Sequence, residues 1–226
     1  TNDNMIQNIE EVKVDTTSGS TVDLTNQTEG FKITVGGQTD SVTGSDGNDI
    51  IVITSAGDGN NDTLIGGSGD DVINLSAGSH TFSDNAKLAT IETINANASA
   101  TTLDLTGQLE GFTIAGGAQG DNLTGGSGND IITGGGGDDT LKGGAGNDTL
   151  NVDSGSDIIT LLGGAGAGGE DDVLVVSNGA TATAANIINF VATTGTTNAG
   201  TAILSVKSDN GVINMSQATG VFEIRS

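Results

Sequence analysis

Five aspartates fall nine residues apart in one stretch of this chain: Asp121, Asp130, Asp139, Asp148 and Asp157. Each is the sixth residue of a nonapeptide. Three of the units, GGSGNDIIT (125–133), GGGGDDTLK (134–142) and GGAGNDTLN (143–151), follow G-G-x-G-x-D-x-U-x without a fault, U being a large aliphatic. The flanking units, GGAQGDNLT from Gly116 and VDSGSDIIT from Val152, keep the aspartate and the aliphatic while losing glycines. Repeated carboxylates in a chain with no Cys and one His are badly suited to zinc or copper, and well suited to a hard cation that takes carboxylate and carbonyl oxygens. Calcium is the expected ion.

The glycines and aliphatics say what must hold those carboxylates. Glycine at positions one, two and four allows positive φ and a close approach of backbone carbonyls, so the first six residues read as a turn. Positions seven to nine read as a short strand whose middle side chain points inward: Leu123, Ile132, Leu141, Leu150 and Ile159. A turn and a strand make half a coil, so repeats two units apart stack on the same side at about 4.8 Å. The aspartates then form two columns, Asp121 with Asp139 and Asp157, and Asp130 with Asp148, which Asp172 extends. The expected ligands are these carboxylates and the carbonyls of Gly126, Gly128, Gly135, Gly137, Gly144 and Gly146.

A less regular block precedes this one. VGGQTDSVT (35–43) and GSDGNDIIV (44–52) run in register, residues 53–56 intervene as an expected loop, and GDGNNDTLI (57–65) and GGSGDDVIN (66–74) follow. Its candidate ligands are Asp40 paired with Asp62, Asp49 paired with Asp71, and the carbonyls of Gly67 and Gly69; its inward aliphatics are Val42, Ile51, Leu64 and Ile73. After Thr160 a six-residue insertion, 161–166, leads to a degenerate unit at 167–175.

Both blocks belong to a longer duplication. Val22-Asp23-Leu24-Thr25 recurs as Leu103-Asp104-Leu105-Thr106, and Glu29-Gly30-Phe31 as Glu110-Gly111-Phe112, with an offset of 81 residues. Ile9-Glu10-Glu11-Val12 resembles Ile91-Glu92-Thr93-Ile94 at one residue more. The chain divides into a first solenoid module at 1–82 with repeats at 35–74, a second at 83–175 with repeats at 116–175, and a tail at 176–226 that caps or continues the solenoid. In the tail, 202–206, 212–215 and 221–224 read as strands and 184–192 as a short helix. The expected fold is all-β: a parallel β-roll or β-helix solenoid with calcium bound in the turns.

Composition agrees with a thin coil. There are 38 Gly, no Pro, no Trp, no Tyr and five Phe, and a net charge of −23 from 29 acidic against six basic residues. Such a surface repels nucleic acid, which needs basic patches, and no apolar run is long enough to span a membrane. Without cations the chain is expected to be largely unfolded, so that metal binding and folding are one event. With few carboxylates per site, affinities of about 10⁻⁴–10⁻³ M are expected, as in extracellular modules. A flexible Gly/Asn/Asp-rich linker shares this composition, but not a register held at nine residues over five units. Thr1 in place of Met reads as a fragment or a processed form.

The tandem nonapeptides resemble the RTX, or hemolysin-type, calcium-binding repeats. The resemblance implies export by type I secretion and an extracellular or cell-surface location. Between the repeats, the Thr/Ala/Asn/Gly-rich segments with Ile-Glu-x-Ile strands are similar to those of Gram-negative surface-layer (S-layer) proteins. That likeness implies a structural role, self-association into a lattice, and an anchor such as lipopolysaccharide bound through regions outside this chain. Asp46, Asp58, Asp70, Asp138 and Asp171, outside position six, are then candidates for lattice-bridging ions, with solvated loop charge as the plainer reading. RTX modules also follow the catalytic domains of exported hydrolases and epimerases, but no H-E-x-x-H or G-x-S-x-G motif is present and no catalytic residue is expected. A segment of a large RTX adhesin is the remaining alternative; an ice-binding face is disfavoured because Lys142 interrupts the position-nine column.

Overall fold

The structure, a computed structural model, describes residue 9 and residues 11–14, 18–56, 61–96, 99–160, 172–187, 189–191, 195–206 and 212–225. The strands of the repeats are short, and Ser41–Thr43, Thr63–Ile65, Asn122–Thr124, Ile131–Thr133 and Thr140–Lys142 each end at the glycine that opens the next turn. Gly67, Gly69, Gly135, Gly137, Gly144 and Gly146 have φ between 88° and 122°, a region that a side chain would strain. They are positions two and four of their units. Position one differs from expectation: Gly66, Gly134 and Gly143 are needed for close approach and not for positive φ. A Cβ on them would stand 2.2–2.4 Å from a carboxylate oxygen of Asp71, Asp139 or Asp148.

Strand upon strand, the chain winds as a parallel solenoid. One face is a single ladder through Glu11–Lys13, Lys32–Val35, Ile50–Ile53, Val72–Leu75, Thr93–Asn95, Thr113–Ala115, Ile131–Thr133, Thr149–Val152 and Val173–Val176. Its register sets Val12, Ile33, Ile51, Ile73, Ile94, Ile114, Ile132, Leu150 and Leu174 in one inward column. Ile33 through Leu174 in that column are fully buried. Each such side chain contributes roughly 1.5–3 kcal/mol by leaving water. The aliphatic column therefore runs without a break through nonapeptides and linking segments alike.

The second face is built from two stacks. The first pairs Thr21–Asp23, Ser41–Thr43, Thr63–Ile65 and Leu88–Ala89. The other pairs Gly78–Thr81, Thr101–Asp104, Asn122–Thr124, Thr140–Lys142, Ser156–Thr160 and Thr181–Ile187. One wide turn of the coil, 72–93, supplies the last strand of the first stack and the first strand of the second. Phe82, His80 and Leu88 are buried there, and Gln108 Nε2 donates to the Phe82 carbonyl at 2.7 Å.

Two expectations are corrected. Ile53 does not open a loop: it closes strand Ile50–Ile53 and is 1 % exposed. The described residues of 184–192 are not helical, since Thr181–Ile187 and Asn189–Val191 are strands, and Thr197–Val206 and Thr219–Arg225 continue the parallel ladder beyond them. A short alanine-rich run carries no period that separates helix from strand, and the open edge of the preceding rung decides in favour of strand. The insertion 161–166 lies outside the described residues.

Candidate metal centre

Where the turn before it is described, a position-six aspartate is placed by two features: that glycine-containing turn and a strand residue at position eight that anchors the unit in the core. The result is a set of ten carboxylates, Asp40, Asp49, Asp62, Asp71, Asp121, Asp130, Asp139, Asp148, Asp157 and Asp172, each between 0 and 3 % exposed. Burying an ionised carboxylate is costly unless donors or cations meet it. Salt bridges among the described residues join Lys13 and Lys32 to Glu11 and Arg225 to Glu223.

What meets the carboxylates first is the backbone of the preceding turn. Asp40 N–H donates to Asp62 Oδ1 at 2.7 Å, Asp49 N–H to Asp71 Oδ1 at 2.7 Å, Asp121 N–H to Asp139 Oδ1 at 2.8 Å and Asp139 N–H to Asp157 Oδ1 at 3.0 Å. Asp130 N–H donates likewise to Asp148 Oδ1 at 2.8 Å, and Asp148 N–H to Asp172 Oδ1 at 3.0 Å. The aspartates thus stand in four columns, with each carboxylate in the space between its own turn and the turn before.

The second oxygen divides the set. Oδ2 of Asp40, Asp71, Asp139 and Asp157 is buried and has no hydrogen-bond partner. In Asp49, Asp121 and Asp130 it accepts an N–H from position two of the same turn: Ser45 at 2.6 Å, Gly117 at 2.7 Å and Gly126 at 2.8 Å. Burial is the chief cause that pushes the Asp71, Asp130 and Asp139 carboxyls up to about 6 from 3.8. The Asp157 carboxyl is raised for the same reason. Hydrogen bonds from the backbone oppose the rise in each, and neighbouring acids add to it at Asp71, Asp139 and Asp157.

These orphaned oxygens fit a calcium ion. The donors are hard, and the inter-turn spaces are kept free of Cβ atoms by glycine. Among the described residues no group of three or more His, Cys, Asp or Glu gathers at one point, so carbonyl oxygens must complete any ligand set. The carbonyls of Gly126, Gly128 and Gly137 lie where a Cβ on Gly144, Gly146 or Gly155 of the next turn would meet them, at 2.0, 2.5 and 1.8 Å. Two candidate carbonyls already accept hydrogen bonds, that of Gly126 from Ala145 N–H and that of Gly135 from the Ser154 hydroxyl.

Some site features escape the nonapeptide pattern. Glu92 Oε2 accepts Asp71 N–H at 2.6 Å and so ends the Asp49–Asp71 column in the place of a position-six aspartate. Thr90, at φ 50°, is the only described non-glycine with positive φ, and its carbonyl faces Gly66. The recurrence of Ile-Glu-x-Ile was the sequence signal available for this contracted turn. Position five also forms a ladder: Asp70 N–H donates to Asn48 Oδ1 at 3.0 Å, Asn147 N–H to Asn129 Oδ1 at 2.8 Å and Ser156 N–H to Asp138 Oδ1 at 2.8 Å. Asp138 is therefore part of the turn scaffold. Asp58 and Asp171 lie outside the described residues.

Comparison with known proteins agrees with the geometry. The family model described as RTX calcium-binding nonapeptide repeat (4 copies) matches residues 32–52, 54–79, 113–141, 124–159 and 133–167. No curated protein and no solved structure matches the chain. Among the described residues no helix is long and apolar enough to cross a membrane. The stacked glycine–aspartate turns are RTX calcium-binding nonapeptide repeats wound into a parallel β-roll, and the ion that these repeats bind is calcium.

Proposed function

We propose that this chain is a calcium-folded structural element of a bacterial cell surface, exported by type I secretion and assembling with copies of itself into a surface layer. The observation that carries the calcium half of this reading is the row of buried Oδ2 atoms at Asp40, Asp71, Asp139 and Asp157 that no protein donor meets. Calcium between turns supplies the missing positive charge there; the ligands are position-six carboxylates, with Asp62, Asp148 and Asp172 completing the columns, and glycine carbonyls at positions two and four. The layer half rests on the Thr/Asn-rich strand segments that alternate with the repeats and on the recurrence of the whole unit at 81 residues. In this reading 1–82 and 83–175 are two copies of one solenoid module and 176–226 continues them.

Sedimentation and negative-stain electron microscopy of the full chain, with calcium raised through the millimolar range, test the assembly. Ordered sheets or large oligomers that dissolve on chelation are expected. A folded, strictly monomeric roll at every calcium concentration removes the layer and leaves an adhesin spacer or an exported enzyme's calcium module.

A further inference from the structure

We infer that Asp49, Asp121 and Asp130 hold their turns without an ion, and that calcium sits only where the second carboxylate oxygen, Oδ2, has been left open. The inference deepens the calcium reading above and rests on it. In these three, both oxygens are taken by backbone donors. Oδ1 accepts Phe31 N–H at 2.6 Å in Asp49, Thr101 N–H at 2.7 Å in Asp121 and Phe112 N–H at 2.7 Å in Asp130. Oδ2 accepts the N–H of Ser45, Gly117 or Gly126 in its own turn. Two charge-assisted bonds from fixed N–H groups are the arrangement by which a helix N-terminus or a backbone nest holds an anion.

The next turn in the same columns is built differently. At Gly67 and Gly135 the position-two residue has φ +117° and +88°. No position-two N–H reaches the carboxylate there, and Oδ2 of Asp71 and Asp139 is left buried with no hydrogen-bond partner. Gly117 and Gly126 are outside the set of positive-φ glycines. The difference follows from the neighbour: the three closed turns stack on segments that are not nonapeptides, as at 24–31 and 105–112, whereas 66–71 and 134–139 stack on a nonapeptide turn.

Ser45 shows the closed state in the sequence itself. A serine at position two is compatible with a turn that has no need of positive φ, and its side chain is 1 % exposed. The hydroxyl lies 2.7 Å from the Glu29 carbonyl, and 3.2 and 3.0 Å from Oδ1 and Oδ2 of Asp49. It stands among the oxygens that an ion in that space would need. Its place in the duplicate is taken by Gly126, and the turn there is closed by the same N–H bond. Asp40 leads the fourth column and is open, so it stays with the ion-binding group. Three of the columns thus begin on a turn that the chain closes by itself, a start on which ion-filled turns can stack.

Calcium content of the full chain after equilibrium dialysis at millimolar calcium, counted by atomic emission with folding checked by circular dichroism, tests this. Asp71→Asn and Asp139→Asn are expected to bind fewer ions than the parent. Asp121→Asn, Asp130→Asn and Ser45→Ala are expected to keep the full count while melting at lower temperature. Loss of an ion from Asp121→Asn or Asp130→Asn overturns the inference. If those variants fail to fold, Ser45→Ala decides alone, because it leaves every carboxylate in place: an unchanged count supports closure, and a lost ion makes the hydroxyl a ligand and overturns it. A parent that binds no calcium refutes the underlying calcium reading, whereas a parent that binds it with equal losses in all the Asp→Asn variants refutes only the division drawn here.

Discussion

The buried carboxylates set the behaviour of single residues. Asp71, Asp130 and Asp139 have folded-state pKa values of about 6 against an ordinary 3.8. A carboxyl raised on folding stabilises the folded chain below its unfolded value, and that stability is lost as pH rises through the folded value. The chelated protein is therefore expected to show its strongest β-sheet circular dichroism near pH 4 and to lose it between about pH 4 and 7. With calcium present, protons compete with it for the open oxygens of Asp71 and Asp139, so the calcium midpoint should rise as pH falls below about 6. A midpoint independent of pH from 5 to 7 contradicts this account of the sites. A second expectation concerns Gly134, whose added Cβ would stand 2.4 Å from Asp139 Oδ2. Gly134→Ala should weaken calcium binding about tenfold or more, roughly 1.4 kcal/mol in free energy, measured by calorimetric titration.

Turns and strands show where the sequence was legible and where it was not. The nine-residue register spelled out the inward column, because position eight is locked to position six and both are read directly; Leu123, Leu141 and Ile159 pair as spaced. Leu141→Ala, in the middle of that stack, is expected to cost about 2–5 kcal/mol, seen as a lower melting temperature at saturating calcium. The wide turn at 72–93 was not legible. Beyond residue 74 it carries no nonapeptide, and its strands there are fixed by which stack each can extend, a property of neighbours distant in sequence. Glu92 takes an aspartate's role by reaching farther from a shorter turn, which spacing alone does not reveal. The strands beyond Thr181 follow from the same cause: each joins an edge that the preceding rung presents. The closed turns at Asp121 and Asp130 keep glycine at positions one and two as the open ones do, because what closes them is the turn on which they stack; at Asp49 only Ser45 marks the difference.

For the molecule as a whole, net charge and thin section decide the balance. The core is a column of medium-sized aliphatics, and the chain carries −23 with ten of its acids buried along the coil. Self-repulsion at neutral pH opposes winding, and inter-turn cations relieve it. Magnesium should do so poorly, since it holds its water and demands a tighter octahedron than glycine carbonyls and a few carboxylates provide. The measurement that bears most directly on this account is small-angle scattering with circular dichroism at pH 7 on the chelated chain, then during titration with calcium and, separately, magnesium. An expanded coil that contracts into a β-rich rod near millimolar calcium, and responds weakly to magnesium, is the predicted result. A chelated chain as compact and as β-rich as the calcium-loaded one would contradict it.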